Sequence, residues 1–122
     1  MEILIDTNVF MASFSMKIDV FEELRKIGYN DFITLDLVVE ELKDLKEGSL
    51  RESKAARLAL ELIEKSRVRI IETRGHNADD EILDYAGKNR ISVATADRKL
   101  AVRLKRSGCR VVTLRQKRYF QA

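Results

Sequence analysis

The chain has 122 residues, of which 45% are hydrophobic and none is proline, so it suits one globular domain spanning residues 1–122 rather than two. Apolar runs such as residues 2–5 are far too short to cross a bilayer, and the N-terminus lacks a signal-peptide pattern, so we expect a cytoplasmic protein. The single cysteine, Cys109, excludes an internal disulfide framework and a cysteine-based zinc site.

The predicted elements alternate between strand and helix along the chain. Apolar and β-branched runs predict strands at residues 2–5, 32–35, 68–72, 91–94 and 110–114. Amphipathic stretches predict helices near residues 17–27, 36–47, 50–65, 78–89 and 97–107. Ser49 with Glu52 forms a capping box, and Asp36 and Asn77 are predicted N-caps. This alternation predicts a parallel sheet covered on both faces by helices, with a ligand crevice beyond the carboxyl ends of the strands.

Four acidic residues are placed to face that crevice: Asp6, Glu41, Asp79 and Asp97. Asp6 follows the first strand, and the other three fall on the apolar side of a predicted helix when residues are spaced by about 100°. The same spacing turns Glu40 outward and makes Asp79 a better candidate than Asp80. Because burying an unpaired carboxylate costs several kcal/mol, a group of inward carboxylates predicts bound divalent cations.

This acidic set suits hydrolysis of a phosphodiester bond. Two divalent ions about 4 Å apart can activate water, stabilise transition-state charge and support the leaving oxygen. We predict that Asp6, Asp79 and Asp97 are catalytic ligands of Mg²⁺ or Mn²⁺, and that Glu41 binds directly or through water. The predicted supporting residues are Thr7, Asn8, Asp80 and Thr95. Taken singly, the site residues also fit alternatives. Thr7, Asn8 and Thr95 suit turn or capping chemistry, Asp97 suits an N-cap, and Asp79 suits a first-turn acid favoured by the helix dipole.

The net charge of +3 hides an uneven distribution. Residues 98–122 contain nine Lys or Arg and no acidic residue, whereas residues 1–97 hold the other 14 bases and all 20 acids. A cationic segment beside an acidic body suits a polyanionic partner whose phosphates are held by the bases. We predict this role for Arg98, Lys99 and Arg103; a solvated basic helix is the alternative.

Four segments taken together resemble the PIN-domain ribonucleases. Asp6-Thr7-Asn8 is similar to that family's opening motif, and Val39-Glu40-Glu41-Leu42 to its Glu-Leu helix motif. Ala78-Asp79-Asp80-Glu81-Ile82 with Ala86 resembles the third motif, and Thr95-Ala96-Asp97 followed by bases and Leu100 resembles the fourth. The resemblance implies a five-stranded parallel sheet in a three-layer α/β/α sandwich, with Mg²⁺ or Mn²⁺ at the acidic cluster and cleavage of single-stranded RNA.

The resemblance also bears on the biological role. The doubled Asp79-Asp80 and the basic C-terminal segment look closer to the branch that processes ribosomal RNA than to VapC-type toxins. Family members often form homodimers, although no interface is evident in the sequence. A PIN-like RNA-binding or ribosome-assembly module with weak or unused cleavage is the main alternative. A haloacid-dehalogenase phosphatase is disfavoured because its second Asp, two positions after the first, is replaced by Asn8.

Overall fold

Strands and helices alternate along most of the chain, as the sequence predicts. The computed structural model describes residues 1–115 and 119–121, and for residues 114, 115 and 119–121 it describes the backbone alone. The elements are β1 (Glu2–Ile5), α1 (Thr7–Ser15), α2 (Val20–Lys26), β2 (Asp31–Leu35), α3 (Asp36–Leu45), α4 (Leu50–Lys65), β3 (Arg69–Ile71), α5 (Ala78–Asn89), β4 (Ser92–Ala94), α6 (Arg98–Arg106), β5 (Val111–Arg115) and β6 (Tyr119–Gln121).

The sheet has the strand order β3-β2-β1-β4-β5-β6, and its first five strands are parallel. β1 lies between β2 and β4, with Ile3 opposite both Phe32 and Ser92. Helices α1, α3 and α4 pack on one another, and α5 packs on α6. The five-stranded parallel sheet of the predicted α/β sandwich is therefore confirmed. β2 and β3 follow β1 on one side of the sheet, whereas β4 and β5 are added on the other side. The switch point of the sheet therefore lies between β1 and β4, where a ligand crevice is expected.

A buried apolar centre fixes the strands that carry this switch point. Ile3, Leu4 and Ile5 of β1 have no exposed surface, and neither do Val93 and Ala94 of β4. Each fully buried aliphatic side chain of this size stabilises the fold by roughly 1.5–3 kcal/mol. The residues that follow these two strands are therefore attached to the fully buried centre of the sheet.

Three elements differ from the sequence prediction. Helix α1 was not predicted, and it starts directly after Asp6, whose side chain accepts a hydrogen bond from the backbone N–H of Thr7. The predicted helix near residues 17–27 starts only at Val20, because Lys17 has a positive φ of 53° and Asp19 caps the helix. Strand β6 pairs antiparallel with β5 and extends the parallel sheet by one edge strand.

The predicted caps are largely confirmed. Ser49 accepts a hydrogen bond from the N–H of Glu52, and Asn77 accepts one from the N–H of Asp80. Asp36 is instead the first residue of α3, since Leu35 occupies the N-cap position. Within the described residues, no helix combines the length and apolar character needed to cross a bilayer.

Candidate active site

Asp6 and Thr95 meet at the switch point of the sheet, because each directly follows a central strand. The backbone N–H of Asp6 donates to the carbonyl of Ala94, which continues the pairing of β1 with β4. The hydroxyl of Thr95 donates to Oδ2 of Asp6 at 2.8 Å, and the side-chain amide of Asn8 donates to the same oxygen at 3.3 Å. The amide oxygen of Asn8 also accepts from the N–H of Ala96 at 2.9 Å. Asp6 is thus held in a single orientation.

Glu41 reaches the same region from α3. Its Oε2 accepts a hydrogen bond of 2.8 Å from the hydroxyl of Thr7, which is buried at the start of α1. Glu41 itself is exposed, so the expected inward burial of this carboxylate is wrong, although its position on the crevice side of α3 is confirmed. The orientation of Glu41 comes from Thr7 rather than from apolar packing.

Asp97 is the N-cap of α6 as well as a lining residue of the crevice. Its Oδ1 accepts hydrogen bonds from the N–H groups of Lys99 and Leu100, at 2.9 and 3.2 Å. The N–H of Asp97 donates to the Thr95 hydroxyl at 3.1 Å, so Thr95 connects Asp97 to Asp6. The capping alternative is therefore correct for one oxygen. Among the described residues, none donates a hydrogen bond to the other oxygen, Oδ2, which remains able to bind a ligand.

Asp79 lies in the first turn of α5 and is partly exposed. Its neighbour Asp80 is exposed and forms an ion pair of 2.8 Å with Arg103 of α6. Burial is the main reason that the pKa of Asp79 is raised, and the negative charges of Asp97 and Asp80 raise it further. The positive charge of Arg103 acts in the opposite direction. Of the two adjacent acids, Asp79 is the one that lines the crevice, as predicted.

One cavity of about 440 Å³ contains all four predicted carboxylates, together with Thr7 and Asn8. Burial raises the pKa of Asp6, the negative charges of Asp79 and Glu41 raise it further, and hydrogen bonds from Thr95 and Thr7 lower it in part. A raised pKa means that the ionised form is disfavoured in the folded protein. Negative charges from four different elements therefore repel one another in a shared, partly enclosed space.

The donor set fits a hard divalent cation, since Mg²⁺ and Mn²⁺ prefer carboxylate oxygens. The described residues hold no group of three or more Asp, Glu, His or Cys side chains already arranged around one point. The carboxylates therefore line a common cavity without forming a finished coordination shell. Asp79, Asp97 and Glu41 all retain exposed surface, so their side chains have room to turn toward a cation.

The three bases predicted to contact RNA are exposed on α6. Arg98 and Lys99 follow directly after the capping residue Asp97, whereas Arg103 lies further along the helix and is paired with Asp80. The later bases of this cationic segment, from Arg115 onward, fall beyond the side chains that the structure describes. The helix thus presents cationic groups beside the acidic cavity.

Asp36 has a role that the sequence pattern did not predict. Asp36 directly follows β2, as Asp6 follows β1, and its carboxylate accepts hydrogen bonds from both the N–H and the hydroxyl of Thr73, at 3.1 and 2.8 Å. Partial burial would raise the pKa of Asp36, but the hydrogen bonds from Thr73 and Leu37 together lower it. Asp36 therefore fixes the loop that leads from β3 to Asp79. Its position after a strand was the available signal.

Comparisons with known proteins agree with this geometry. A family described as "PIN like domain" matches residues 3–117. Ribonuclease VapC9 of Archaeoglobus fulgidus is 37% identical over 119 residues, which cover 95% of this chain and 85% of that protein. Ribonuclease VapC4 of Methanocaldococcus jannaschii is 30% identical over 120 residues, covering 95% of this chain and 92% of the relative.

Solved structures show the same fold. The PIN domain endonuclease Utp24 superposes with a TM-score of 0.78 at 26% identity, over 96% of this chain and 89% of that chain. A domain of a functionally unknown protein from Methanocaldococcus jannaschii superposes with a TM-score of 0.61 at 15% identity, over 93% and 90% of the two chains, and supports the fold alone. With nearly its whole length matched, the chain belongs to the PIN-domain ribonuclease family.

Proposed function

We propose that the protein is a divalent-metal-dependent endoribonuclease that hydrolyses phosphodiester bonds of single-stranded RNA. One observation carries the proposal: four carboxylates from different parts of the chain line a single cavity at the switch point of the sheet. Mutual repulsion among them is relieved when cations bind, so the cavity favours metal over an empty state. The names of the VapC relatives and of Utp24, each a ribonuclease or an endonuclease, support the same activity.

The proposed metal ligands are Asp6, Asp79, Asp97 and Glu41. Bound Mg²⁺ or Mn²⁺, as a pair of ions, would supply an activated water and compensate the charge that develops on the phosphate. The chain's own residues orient the ligands. Thr95 and Asn8 hold Asp6, Thr7 holds Glu41, and the helix N-terminus holds one oxygen of Asp97 so that the other stays accessible. Such supporting hydrogen bonds commonly change metal affinity or activity by about 10- to 100-fold.

The cationic groups on α6 are proposed to hold the RNA backbone. Arg98 and Lys99 lie next to Asp97, so a phosphate held by them would bring its neighbour toward the carboxylates. Arg103 shares its charge with Asp80, and we expect a smaller contribution from it. Bases supply affinity in this arrangement, whereas carboxylates supply the chemistry.

Cleavage of a labelled single-stranded RNA tests the activity. We expect cleavage with Mg²⁺ or Mn²⁺ and none with EDTA. Asp79→Asn should lower the rate by on the order of 100-fold or more, because it removes a metal ligand. Asp84→Asn is the matched control, since Asp84 is on the same helix but exposed and paired with Lys88 at 3.0 Å. Cleavage that survives EDTA, or equal losses in both variants, would contradict the proposal.

Two biological roles are compatible with this chemistry, and each has its own supporting observation. A role in ribosomal RNA processing is supported by the doubled Asp79-Asp80 and by the basic segment at residues 98–122. A VapC-type toxin is supported by the identity to VapC9 and VapC4. Induced expression separates the two: growth arrest that a co-expressed small partner relieves indicates a toxin, whereas ribosomal RNA precursors that accumulate on depletion indicate processing. RNA binding without cleavage would indicate the assembly module instead.

A further inference from the structure

The acidic cavity extends well beyond the carboxylates, along one face of α1. Residues at helical spacing line this extension, at positions 8, 11, 12, 15 and 16, and Leu45 of α3 lies opposite them. Helix α1 has nine residues, so at about 1.5 Å per residue the cavity runs for roughly 13 Å from Asp6. We call the part formed by Met11, Ala12, Met16 and Leu45 the methionine slot.

The methionine slot differs in chemistry from the other end of the cavity. Its side chains are apolar, and Met11, Met16 and Leu45 are only partly buried, so their remaining surface faces the cavity. Among the described residues, the four acids are the charged residues that line the cavity, and no Lys or Arg lines it. An RNA phosphate placed in the slot would meet no cation there. An uncharged aromatic group would meet flexible, polarisable thioethers, which contact aromatic rings favourably.

We propose that the methionine slot is a nucleobase-binding subsite, which receives an unpaired base of the RNA adjacent to the bond that is cut. This inference rests on the proposed ribonuclease function and names how the substrate is seated. The slot is continuous with the carboxylate end, so a base in the slot and a phosphate at the acids belong to one bound strand. A base held there requires an unpaired nucleotide, because a paired base cannot leave its helix without losing its partner. The slot therefore accounts for a preference for single-stranded RNA.

Three methionines make the proposal directly testable on the unmodified protein. Met11 and Met16 lie in the slot. Met1 precedes β1 at the amino ends of the strands, whereas the acidic end of the cavity lies at their carboxyl ends, and Met1 is 62% exposed. With ¹³C-methyl-labelled methionine, a short single-stranded RNA should shift the Met11 and Met16 signals through the ring current of the base. Met1 should not move. Spectra are recorded in EDTA, which prevents metal-dependent cleavage, and repeated in Mg²⁺ with a cleavage-resistant RNA of the same sequence.

An abasic oligonucleotide of the same length is the matched ligand control. It keeps the phosphates and lacks the bases, so it should leave Met11 and Met16 unshifted even where it binds. Equal shifts with both oligonucleotides, or bound RNA without any shift at Met11 and Met16, would overturn the proposal. Shifts that follow protein concentration alone would show that a second copy of the chain occupies the slot, which would also overturn it.

Enzyme kinetics give a second, independent measurement. Met11→Ala combined with Leu45→Ala should raise KM for RNA by about tenfold with little change in kcat, as expected when base contacts are lost equally in the ground and transition states. The preference for particular bases beside the cut should weaken across a randomised substrate pool. Leu58→Ala is the control, because Leu58 is 42% exposed on α4 and lies outside this cavity. An unchanged KM and unchanged base preference would refute the slot. If the parent protein does not cleave RNA but RNA still shifts the Met11 and Met16 signals, only the proposed function is refuted.

Discussion

Thr95 donates a hydrogen bond of 2.8 Å to Asp6, a residue 89 positions earlier in the chain. The same hydroxyl accepts from the N–H of Asp97 at 3.1 Å, so one buried side chain connects two proposed metal ligands. Thr95 follows β4 and Asp6 follows β1, so the pairing of these two strands brings the two side chains within hydrogen-bond distance. The spacing of the two acids is therefore set by the sheet rather than by a metal.

Thr95→Val should weaken metal binding. The substitution preserves the side-chain shape but removes the donor to Asp6, and it also removes the interaction that lowers the pKa of Asp6. We expect Mn²⁺ affinity and RNA cleavage to fall by about 10- to 100-fold. Calorimetric titration with Mn²⁺ measures the first effect directly.

The control for this variant is Thr34→Val. Thr34 is equally buried, and its hydroxyl donates to the carbonyl of Ile5 at 2.8 Å, so a comparable hydrogen bond worth about 1 kcal/mol is lost. Among the described residues, Thr34 donates no hydrogen bond to a carboxylate, so its replacement should lower the melting temperature and change Mn²⁺ affinity much less than Thr95→Val does. If both variants reduce Mn²⁺ affinity alike, Thr95 has a purely structural role.

Glu41 and Glu40 provide a second comparison, between adjacent residues of α3. Glu41→Gln should lower cleavage strongly, because Glu41 is the acid that Thr7 orients into the cavity. Glu40→Gln should change it little, since Glu40 is exposed and does not line the acidic cavity. Glu40 lines a neighbouring cavity, which Glu41 and Asp79 also border. Single-turnover cleavage rates of the two variants test this prediction. An equal or larger loss of rate in Glu40→Gln would contradict the assignment of Glu41.

The sequence correctly predicted which way several side chains point, but it predicted poorly how deeply they are buried. Asp6 and Asp97 could be placed at one edge of the sheet because each follows a buried strand, and helical spacing correctly separated Glu41 from Glu40. Burial was overestimated for Glu41, since the spacing of residues on a helix shows which way a side chain points but not how close its neighbours come. The hydrogen bond from Thr7 depends on a contact across 34 positions, which no local pattern encodes.

Helix α1 was missed for a related physical reason. Thr7 and Asn8 fit turn chemistry, and the following Val9, Phe10 and Met11 are apolar on all sides, so the usual alternation of apolar and polar faces is absent. The hydrogen bonds between Thr73 and Asp36 were missed as well, because they join two segments 37 positions apart. Contacts of this kind follow from the topology of the sheet and cannot be inferred from a single stretch of sequence.

The carboxylate of Asp79 should destabilise the metal-free protein and stabilise the metal-bound protein. The folded protein raises the pKa of Asp79, so the ionised acid costs stability as the pH rises from the unfolded value of 3.8 through the raised folded value. In EDTA at neutral pH, Asp79→Asn should therefore increase the melting temperature slightly, by no more than a few degrees because the group is partly exposed. With saturating Mn²⁺ the order should invert, since the parent gains binding free energy that the variant lacks. Scanning calorimetry under both conditions measures this, and a parent that is the more stable protein in EDTA would contradict the repulsion argument.

Charge reversal on α6 should weaken RNA binding much more than it changes metal binding. Arg98, Lys99 and Arg103 are exposed and lie beside the acidic cavity, so replacing all three by Glu should reduce affinity for single-stranded RNA of any sequence. Each lost phosphate contact reduces the number of counterions released on binding. The slope of log affinity against log salt should therefore flatten by up to about 2 for three lost contacts on a single strand.

An equal charge change elsewhere distinguishes a local contact from a general effect of net charge. Lys54, Arg57 and Lys65 are exposed on α4, and their replacement by Glu changes the net charge by the same amount. We expect this control to lower RNA affinity only weakly and to preserve the salt slope, because no phosphate contact is lost. Fluorescence anisotropy at several salt concentrations compares the two variants. Equal slopes would assign the bases of α6 to a solvated surface and leave the RNA-binding face to be found elsewhere. A slope that flattens in the α6 variant alone, with a much smaller change in Mn²⁺ affinity, separates the residues that hold the RNA backbone from those that act on it.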